Sequence, residues 1–152
     1  MKVEFSNNGL IDSLTGAPAP RNFFENLERE ISKSQRLYQP LAIMTFKYLT
    51  TASEGDSEKE LIELGRSIKK NMRKGDFYSR IAQDGFWVCL HANENDSADS
   101  KKRFSKALLN VFNQEKSKAT FSKSKVEISI NLWSPEMSKA AWIRAIDLSY
   151  FD

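Results

Sequence analysis

The segment Arg80 to His91, RIAQDGFWVCLH, predicts a β-hairpin. Two short apolar runs flank the dipeptide Asp84-Gly85, and Asp-Gly between such runs is a strong signal for a tight hairpin turn. Hairpin tips of this kind often carry catalytic or ligand-binding side chains, yet this tip offers a single carboxylate, that of Asp84. The segment therefore predicts an element of the fold, and it raises the question whether that element is also a site.

Three helices are predicted around this hairpin. Apolar residues recur at helical spacing from about Arg21 to Gln35, and again behind Ser57, where Ser-Glu-Lys-Glu has the spacing of a capping box. The second helix ends in a basic turn with Gly75 as its C-cap, and a third helix is expected near Ser97 to Phe112. The side chains expected on the inner faces of these helices are Phe23, Phe24, Leu27, Ile31, Leu61, Leu64, Ile68, Met72, Phe104, Leu108 and Val111.

Two further strands and a last helix complete the pattern. The apolar run LAIMTF after Pro40 has the length of a strand, and KVEISINLW alternates as a strand does. Ser134-Pro135 has the pattern of an N-cap followed by proline at the first helical position, which opens a helix towards Tyr150. The side chains expected on one face of the second strand are Val126, Ile128, Ile130 and Leu132.

The order of elements predicts an α+β fold. The order is helix, strand, helix, hairpin, helix, strand and helix. One mostly antiparallel sheet covered by helices, of the ferredoxin-like kind, accommodates this order most simply. A chain of 152 residues fits a single domain. We assign residues 1–11 to an N-terminal lead-in and residues 12–152 to the domain.

Composition excludes several classes of protein. The net charge of +3 is mildly basic, without the concentrated basic stripe expected of a nucleic-acid partner. No apolar run approaches the length of a membrane span, and the N-terminus has no apolar signal region, so no membrane contact is expected. Cys89 is the only cysteine, which excludes an intramolecular disulfide and favours a reducing, cytoplasmic location.

The reactive residue types in the sequence do not by themselves identify an enzyme. His91 is the only histidine and has no second histidine or cysteine near it in sequence, which argues against a zinc site. Cys89 lies between Val88 and Leu90 and is most simply a small core residue. The sequence contains no glycine-rich phosphate loop and no nucleophile elbow.

Several segments together resemble a known family. The segments DSLTGAPAPR from Asp12, PLAIMTF from Pro40, RKGDFYSRIAQDGF from Arg73, VEISINL and AIDLSY occur in the order in which GGDEF domains carry their counterparts. The chain looks like a degenerate GGDEF domain from about Asp12 to Asp152, and Asp-x-Leu-Thr-Gly is the most specific piece. This family comprises diguanylate cyclases, which condense two GTP into cyclic di-GMP, and the resemblance implies their nucleotidyl-cyclase-like fold.

The resemblance also implies that catalytic residues are lost. Cyclisation in the family depends on divalent metals held by acidic ligands. Lys47 matches the aspartate that the family has at the end of the first strand, and Leu49 matches a second aspartate two residues on. A lysine at a metal-ligand position repels a dication. The signature Gly-Gly-Asp-Glu-Phe falls on Ala82, Gln83, Asp84, Gly85 and Phe86.

The degenerate signature retains one carboxylate, Asp84, while Gly85 matches the metal-binding glutamate. Ala82 and Gln83 replace glycines that let the nucleotide approach the backbone. Ala19 matches the asparagine that helps to hold guanine in the family. We therefore expect no enzymatic activity, no bound metal and no other cofactor, and we interpret Asp84 as the first residue of a turn.

One ligand site of the family is matched. Arg73 and Asp76 fit the Arg-x-x-Asp motif that captures the product, cyclic di-GMP, and Arg103 is a candidate for the further arginine that such sites often need. An arginine fork can pair with the O6 and N7 atoms of guanine, and a carboxylate can accept from its N1 and N2 donors. The alternative is purely structural, because a basic last turn, Gly75 and Asp76 also suit a helix end followed by a turn.

Three function classes remain open at this point. The first is a non-catalytic regulatory module in cyclic di-GMP signalling, acting as a receptor, as a protein-interaction domain, or as both. The second is an active cyclase, and the third is an RNA-binding domain on a ferredoxin-like sheet, disfavoured because DGFWVCL lacks the required aromatic alternation.

An inactive module also needs a protein partner or a second copy of itself to have an output. Large aromatic residues are enriched at such interfaces, although in a small domain most of them belong to the core. The large aromatic residues assigned either to the core or to such an interface are Trp87, Trp133, Trp142, Tyr150 and Phe151.

Overall fold

The structure, a computed structural model, describes residues 3–114 and 124–151, with side chains described for 3–109 and 124–148. Its helices are α1 (Pro20–Leu37), α2 (Glu54–Asn71), α3 (Glu94–Gln114) and α4 (Lys139–Phe151). Its strands are β1 (Ala42–Thr50), β2 (Phe77–Ala82), β3 (Gly85–Leu90) and β4 (Ser124–Leu132). This order confirms the predicted succession of elements. In these two ranges of the chain, no helix combines the length and apolar character that a bilayer span requires.

The four strands form one sheet in the order β2-β3-β1-β4, and every neighbouring pair is antiparallel. β1 is central: it pairs with β3 from Ala42 to Lys47 and with β4 along its whole length, from Ala42 to Thr50. The predicted α+β, ferredoxin-like architecture is therefore confirmed.

Helices cover both faces of the sheet. Because successive strand residues point to opposite faces, Met44 and Phe46 pack in one core cluster with α2 and α3, while Ile43 packs in the other with α1 and α4. The following residues expected on inner helix faces are buried: Phe23, Leu27, Ile31, Leu61, Leu64, Ile68, Phe104 and Leu108. Phe24 and Met72 are partly buried against these clusters, and the side chain of Val111 lies outside the described residues.

The tryptophans and the cysteine belong to the core. Trp87, Trp133, Trp142 and Cys89 are all buried in the cluster under α1 and α4, which confirms the core interpretation for them. The side chains of Tyr150 and Phe151 lie outside the described residues. The three tryptophans therefore do not support the aromatic interface that the sequence left open.

The start of α2 differs from the prediction. The helix begins one turn earlier than Ser57, because Ser53 is its N-cap and its side chain accepts a hydrogen bond from the Asp56 backbone at 3.3 Å. The acidic residues Glu54 and Asp56 in the first turn complement the positive end of the helix dipole.

The end of α2 also differs, and Gly75 is not its C-cap. The helix ends at Asn71, whose side chain donates to Ser67 O at 2.8 Å, while Arg103 donates to Asn71 O at 3.0 Å. The bond from Arg103 satisfies a carbonyl group that a helix end otherwise leaves open. Gly75 lies beyond, at φ +93°, in the turn that leads to β2.

The predicted start of α4 is wrong, whereas the predicted common face of the apolar residues on β4 is confirmed. Ser134 begins a turn, with Met137 N donating to Ser134 O at 2.9 Å, and α4 starts at Lys139. The reason is a second N-cap: Ser138 Oγ accepts from Ala141 N at 3.1 Å. Val126, Ile128 and Ile130 pack on the core as expected. Leu132 pairs with Ala42 and so lies on the same face, but it is exposed at the end of this edge strand.

The hairpin turn lies one residue earlier than predicted. Ala82 pairs with Gly85, so that Gln83 and Asp84 form the turn and Gly85 is the first residue of β3. The backbone of β1 explains this shift, because Tyr48 N donates to Asp84 O at 2.7 Å and draws the chain after Asp84 into the sheet. Asp84 is thus the second residue of the turn.

Candidate functional site

The hairpin segment that matches the family signature, Ala82 to Phe86, lies beside the end of β1. Lys47 is the direct cross-strand partner of Gly85 on β3 and of Glu127 on β4. Two positions that the family resemblance assigns to metal ligands, Lys47 and Gly85, are therefore neighbours, as a shared site requires. One of them supplies a positive charge and the other supplies no side chain. Leu49, two residues on, is a partly buried apolar residue.

The acidic residues near the signature do not form a metal site. Asp84 interacts electrostatically with Arg80, and Asp12 forms an ion pair with the same guanidinium. Across the described ranges, no three histidine, cysteine, aspartate or glutamate side chains are grouped to hold a metal ion. The donor set present does not fit the pair of divalent metals that cyclisation in the family depends on.

Glu127 is a neighbour of this site that sequence reasoning missed. It lies opposite Lys47 in an antiparallel pair, and direct cross-strand partners share a face of the sheet. Opposite charges in such positions contribute roughly 0.2–1 kcal/mol. A lysine at this position is therefore accommodated by the sheet itself.

A buried ion pair fixes the hairpin to the N-terminal segment. Arg80 is fully buried, and its Nη1 lies 3.1 Å from Asp12 Oδ1 and donates to Glu4 O at 2.6 Å. Its Nη2 donates to Gln83 O at 2.8 Å, inside the turn. Burial lowers the pKa of Arg80, and the Asp12 carboxylate opposes that shift.

Gln83 fills a position where the family has glycine. Its side-chain amide donates to Val3 O at 2.6 Å, and Val3 itself is part of the core cluster under α2 and α3. The N-terminal segment assigned as a lead-in therefore packs against the signature hairpin. A nucleotide that needs bare backbone at this point would meet a side chain that is already bonded to the protein.

Ala19, which matches the guanine-binding asparagine of the family, has no polar group in its side chain. Ala19 is the N-cap residue of α1, is 1% exposed and makes no side-chain cap. The nearby amide of Asn22 donates to Leu10 O at 3.1 Å, and so it is engaged in holding the N-terminal turn.

The Arg-x-x-Asp residues form a closed turn between α2 and β2. Asp76 Oδ2 accepts from Arg73 N at 2.9 Å, and Asp76 N donates to Arg73 O at 3.0 Å. Gly75 adopts φ +93°, which closes the turn without strain. Arg73 is exposed, whereas Asp76 is partly buried.

Arg103 lies at the same place, as the sequence predicts. Its guanidinium donates to Asn71 O at 3.0 Å and stands over the ring of Phe104, with 5.2 Å between Cζ and the ring centroid. Burial lowers the pKa of Arg103, and the like charge of Arg73 adds to that shift.

The carboxyl group of Asp76 is set among these cations. Burial raises the pKa of Asp76, while the hydrogen bond from Arg73 N and the charges of His91, Arg103 and Arg73 oppose the rise. The structure thus brings Arg73, Asp76 and Arg103 together, and it adds His91 to the group.

A cleft lies on the other side of this turn. It has a volume of about 490 Å³, and its lining residues are Glu30, Lys33, Gln39, Pro40, Gly75 and His91. His91 Nε2 lies 2.7 Å from Glu30 Oε2. Sequence reasoning missed this cleft because Glu30 and His91 are distant in the chain, and no local motif joins them.

A second buried carboxyl group joins three elements at the end of β1. Glu60 on α2 is 1% exposed, and its Oε1 accepts from Tyr48 Oη on β1 at 3.0 Å and from Ser124 Oγ on β4 at 2.6 Å. Burial raises the pKa of Glu60, and these hydrogen bonds oppose the rise. This cluster is a structural connection close to the signature.

A family model matches most of the chain. Residues 9–149 match the model described as diguanylate cyclase, GGDEF domain. Among curated proteins, no relative matches the sequence.

Solved structures share the fold at low sequence identity. The diguanylate cyclase SiaD from Pseudomonas aeruginosa, in complex with its activator SiaC, superimposes with a TM-score of 0.77 at 16% identity, over 93% of this chain and 56% of that chain. The GGDEF domain of DgcB from Caulobacter crescentus, in complex with c-di-GMP, gives 0.76 at 10% identity over 97% and 91%. A microbial GGDEF domain solved for its interaction with cyclic di-GMP gives 0.74 at 16% identity over 93% and 88%.

Proposed function

The chain belongs to the diguanylate cyclase GGDEF domain family, and from that premise we propose that it is a non-catalytic member which binds cyclic di-GMP at the Arg73–Asp76 turn. The observation that carries this proposal is the closed turn itself, with an exposed Arg73, a partly buried Asp76 and Arg103 beside them.

The absence of catalysis is supported by charge and by space at the signature. A dication beside Lys47 would experience repulsion, and Gly85 offers no oxygen from a side chain to compensate. Gln83 occupies space near the hairpin backbone and is bonded to Val3 O. GTP in the geometry of cyclisation would therefore lack both its metals and its pocket.

Binding of cyclic di-GMP is supported by the chemistry of the turn. The planar fork of Arg73 matches two acceptors on one edge of guanine, and the Asp76 carboxylate matches the donors on another. Lys69 and Lys70 precede the turn in the last turn of α2, Lys74 lies within it, and all three are exposed, so their charges favour an anionic ligand. The DgcB domain is one relative of the same fold that was solved in complex with c-di-GMP.

The test is calorimetric titration of the chain with cyclic di-GMP, repeated on Arg73→Ala. Loss of a bidentate contact to a charged donor costs about 1.5–3 kcal/mol, so we expect affinity to fall by a factor of at least about ten. Lys59→Ala is the matched control, because it removes an exposed cation in the second turn of α2, at the opposite end of that helix.

Equal affinity of the wild-type and Arg73→Ala chains would contradict the proposed site. Failure of the wild-type chain to bind would contradict the receptor function, and it would leave the turn as the structural stop after α2.

We also propose that the output of this module passes through a protein partner, because a receptor without a reaction needs one to transmit its state. The SiaD cyclase, a relative by fold, was solved in complex with its activator SiaC. Affinity capture with the wild-type chain and cyclic di-GMP is expected to recover a protein that the Arg73→Ala chain does not recover. Identical captures with both chains would contradict a ligand-dependent partner.

A further inference from the structure

We propose that the outer edge of β4 is a self-association surface, on which β4 of a second copy of this chain pairs antiparallel about a twofold axis at Ile128. The inference goes beyond the proposed function, because it depends on the sheet and not on the binding of cyclic di-GMP. It gives the module a partner of defined chemistry, a second copy of itself, and it names the strand that binds this partner.

The sheet ends at β4. The strand order β2-β3-β1-β4 places β4 beside β1, and in the part of the chain that the structure describes no strand lies on its other side. The strand is nine residues long, Ser124–Leu132, and pairs with β1 over all of them. An edge strand of this kind presents backbone N–H and C=O groups to which another strand can bind.

The opposite edge of the sheet differs, because the N-terminal segment lies against β2. Ser79 Oγ on β2 donates to Pro18 O at 2.7 Å, and Arg80 Nη1 donates to Glu4 O at 2.6 Å. Of the two edges, β4 is therefore the one that is open to a second copy.

The pairing of β4 with β1 shows which backbone groups face the open edge. Opposite residues in antiparallel strands alternate between pairs that exchange both hydrogen bonds and pairs that exchange none. Trp133 N donates to Leu41 O at 2.9 Å, immediately beyond the last residue pair of the two strands, so the odd-numbered residues of β4 are bonded to β1. The residues that direct their backbone N–H and C=O groups to the open edge are therefore Ser124, Val126, Ile128, Ile130 and Leu132.

The other side of β1 agrees with this alternation. Tyr48 is the cross-strand partner of Val126, yet its N–H donates to Asp84 O, on the side of β1 that faces β3, at 2.7 Å. The pair of Tyr48 and Val126 is thus one without mutual hydrogen bonds, and the backbone of Val126 points outward.

The same residues form an apolar row. Val126, Ile128 and Ile130 are only partly buried against the core, and Leu132 is 41% exposed. Edge strands are commonly protected from other strands by proline or by inward-pointing charges, and this row has neither. Pairing with a second apolar row would remove its exposed part from water, which is favourable.

A twofold axis at Ile128 makes this row complementary to itself. Ile128 then lies opposite its own copy, and Val126 lies opposite Ile130 of the second copy. Each of these pairs joins residues whose backbone groups face the open edge, so each exchanges two hydrogen bonds. A surface that matches its own copy in this way is what a twofold dimer requires.

The charged face of β4 selects this register. With the axis at Ile128, Glu127 lies opposite Ser129 of the second copy and Lys125 lies opposite Asn131, so no like charges meet directly. An axis at Glu127 would place this carboxylate opposite its own copy, and like charges in that position are destabilising. An axis at Val126 would leave the second half of the strand unpaired.

The first test measures self-association of the full chain by analytical ultracentrifugation over a concentration series. The wild-type chain is expected to show a reversible monomer–dimer equilibrium. Ser129 is exposed, and Ser129→Glu places a carboxylate opposite Glu127 of the second copy, twice by symmetry. The dissociation constant of the dimer is expected to rise about tenfold.

Ser129→Lys is the matched control, because it adds a long side chain of the opposite charge at the same exposed position. This variant is expected to associate at least as tightly as the wild-type chain, and the difference between the two variants is expected to shrink as ionic strength rises. Thermal unfolding of both variants is expected to match that of the wild-type chain within a few degrees, since surface substitutions have small effects on stability.

The second test reads the register by amide hydrogen exchange at low and high protein concentration. The N–H groups of Val126, Ile128 and Ile130 are expected to gain protection as the dimer forms. Those of Glu127 and Ser129 are bonded to β1 and are expected to be protected at both concentrations.

Three results would overturn the proposal. The first is a wild-type chain that stays monomeric across the concentration series. The second is a dimer in which Ser129→Glu and Ser129→Lys associate equally well, and the third is a dimer in which the N–H groups of Val126, Ile128 and Ile130 gain no protection. Each of these would leave the proposed binding of cyclic di-GMP untouched, because Arg73 and Asp76 take no part in the β4 edge.

Discussion

At the scale of single residues, the proposed absence of catalysis rests first on Lys47. The β-sheet register places it directly between Gly85 and Glu127, so its charge lies where the family resemblance expects an acidic metal ligand. Sequence comparison alone identified Lys47 and Gly85 as altered positions. It did not identify Glu127, because the pairing of β1 with β4 joins residues that are far apart in the chain.

The Arg80–Asp12 pair is the residue-scale contact with the largest expected effect on stability. Both side chains are essentially buried, at 0% and 1% exposed. Replacement of Asp12 by alanine would leave a buried guanidinium unpaired, and the loss of one member of such a pair costs about 3–5 kcal/mol. We expect Asp12→Ala to lower the free energy of unfolding by that amount in urea denaturation.

Glu25→Ala is the matched control for this measurement. Glu25 pairs with Arg21 at 3.2 Å on the surface of α1, where the two side chains are 55% and 80% exposed. Exposed pairs contribute at most about 1 kcal/mol. Similar losses of stability for Asp12→Ala and Glu25→Ala would contradict the structural role of the buried pair.

At the scale of elements, apolar periodicity predicted the helices and strands better than it predicted their ends. α2 illustrates both results: Leu61, Leu64 and Ile68 are buried as expected, yet the helix begins after Ser53 and ends at Asn71. The ends depend on particular hydrogen bonds, and one of these comes from Arg103 on another helix. Such a tertiary contact cannot be inferred from the local sequence.

The hairpin shows the same limit. Asp-Gly correctly predicted a tight turn, but the turn residues are Gln83 and Asp84 because Tyr48 on β1 binds the backbone of Asp84. The local sequence therefore predicts that a hairpin forms, whereas a hydrogen bond from the neighbouring strand sets the position of its turn.

Glu60 connects three elements, and its titration gives an expected dependence of stability on pH. Burial raises the pKa of this carboxyl group above its usual 4.5, so the folded chain keeps a proton that the unfolded chain releases. The stability that this proton provides is fully present below pH 4.5 and is lost as pH rises through the folded pKa.

Glu60→Gln tests this dependence, because glutamine keeps an oxygen acceptor for Tyr48 and Ser124 and does not titrate. The free energy of unfolding of the variant, relative to wild type, is expected to increase as pH rises from about 4.5 to 7. A difference that stays constant across this range, measured by urea denaturation, would contradict a raised pKa.

At the scale of the whole molecule, the fold was predictable and the arrangement of the candidate site was predictable only in part. The order of helices and strands admits few topologies, so the antiparallel sheet followed from the pattern. Arg73 and Asp76 were identified because their motif is local, and Arg103 because the family often has a further arginine. The cleft with Glu30, Lys33 and His91 depends on α1 packing beside the end of β3.

An assay for synthesis of cyclic di-GMP tests most directly whether this domain is non-catalytic. The chain is incubated with GTP and either Mg²⁺ or Mn²⁺, and the products are separated by chromatography to detect cyclic di-GMP. We predict no formation of cyclic di-GMP above the background without protein, because Lys47 and Gly85 cannot hold the metals that cyclisation depends on. Formation of cyclic di-GMP that requires the divalent metal would contradict the central claim that this GGDEF domain is non-catalytic.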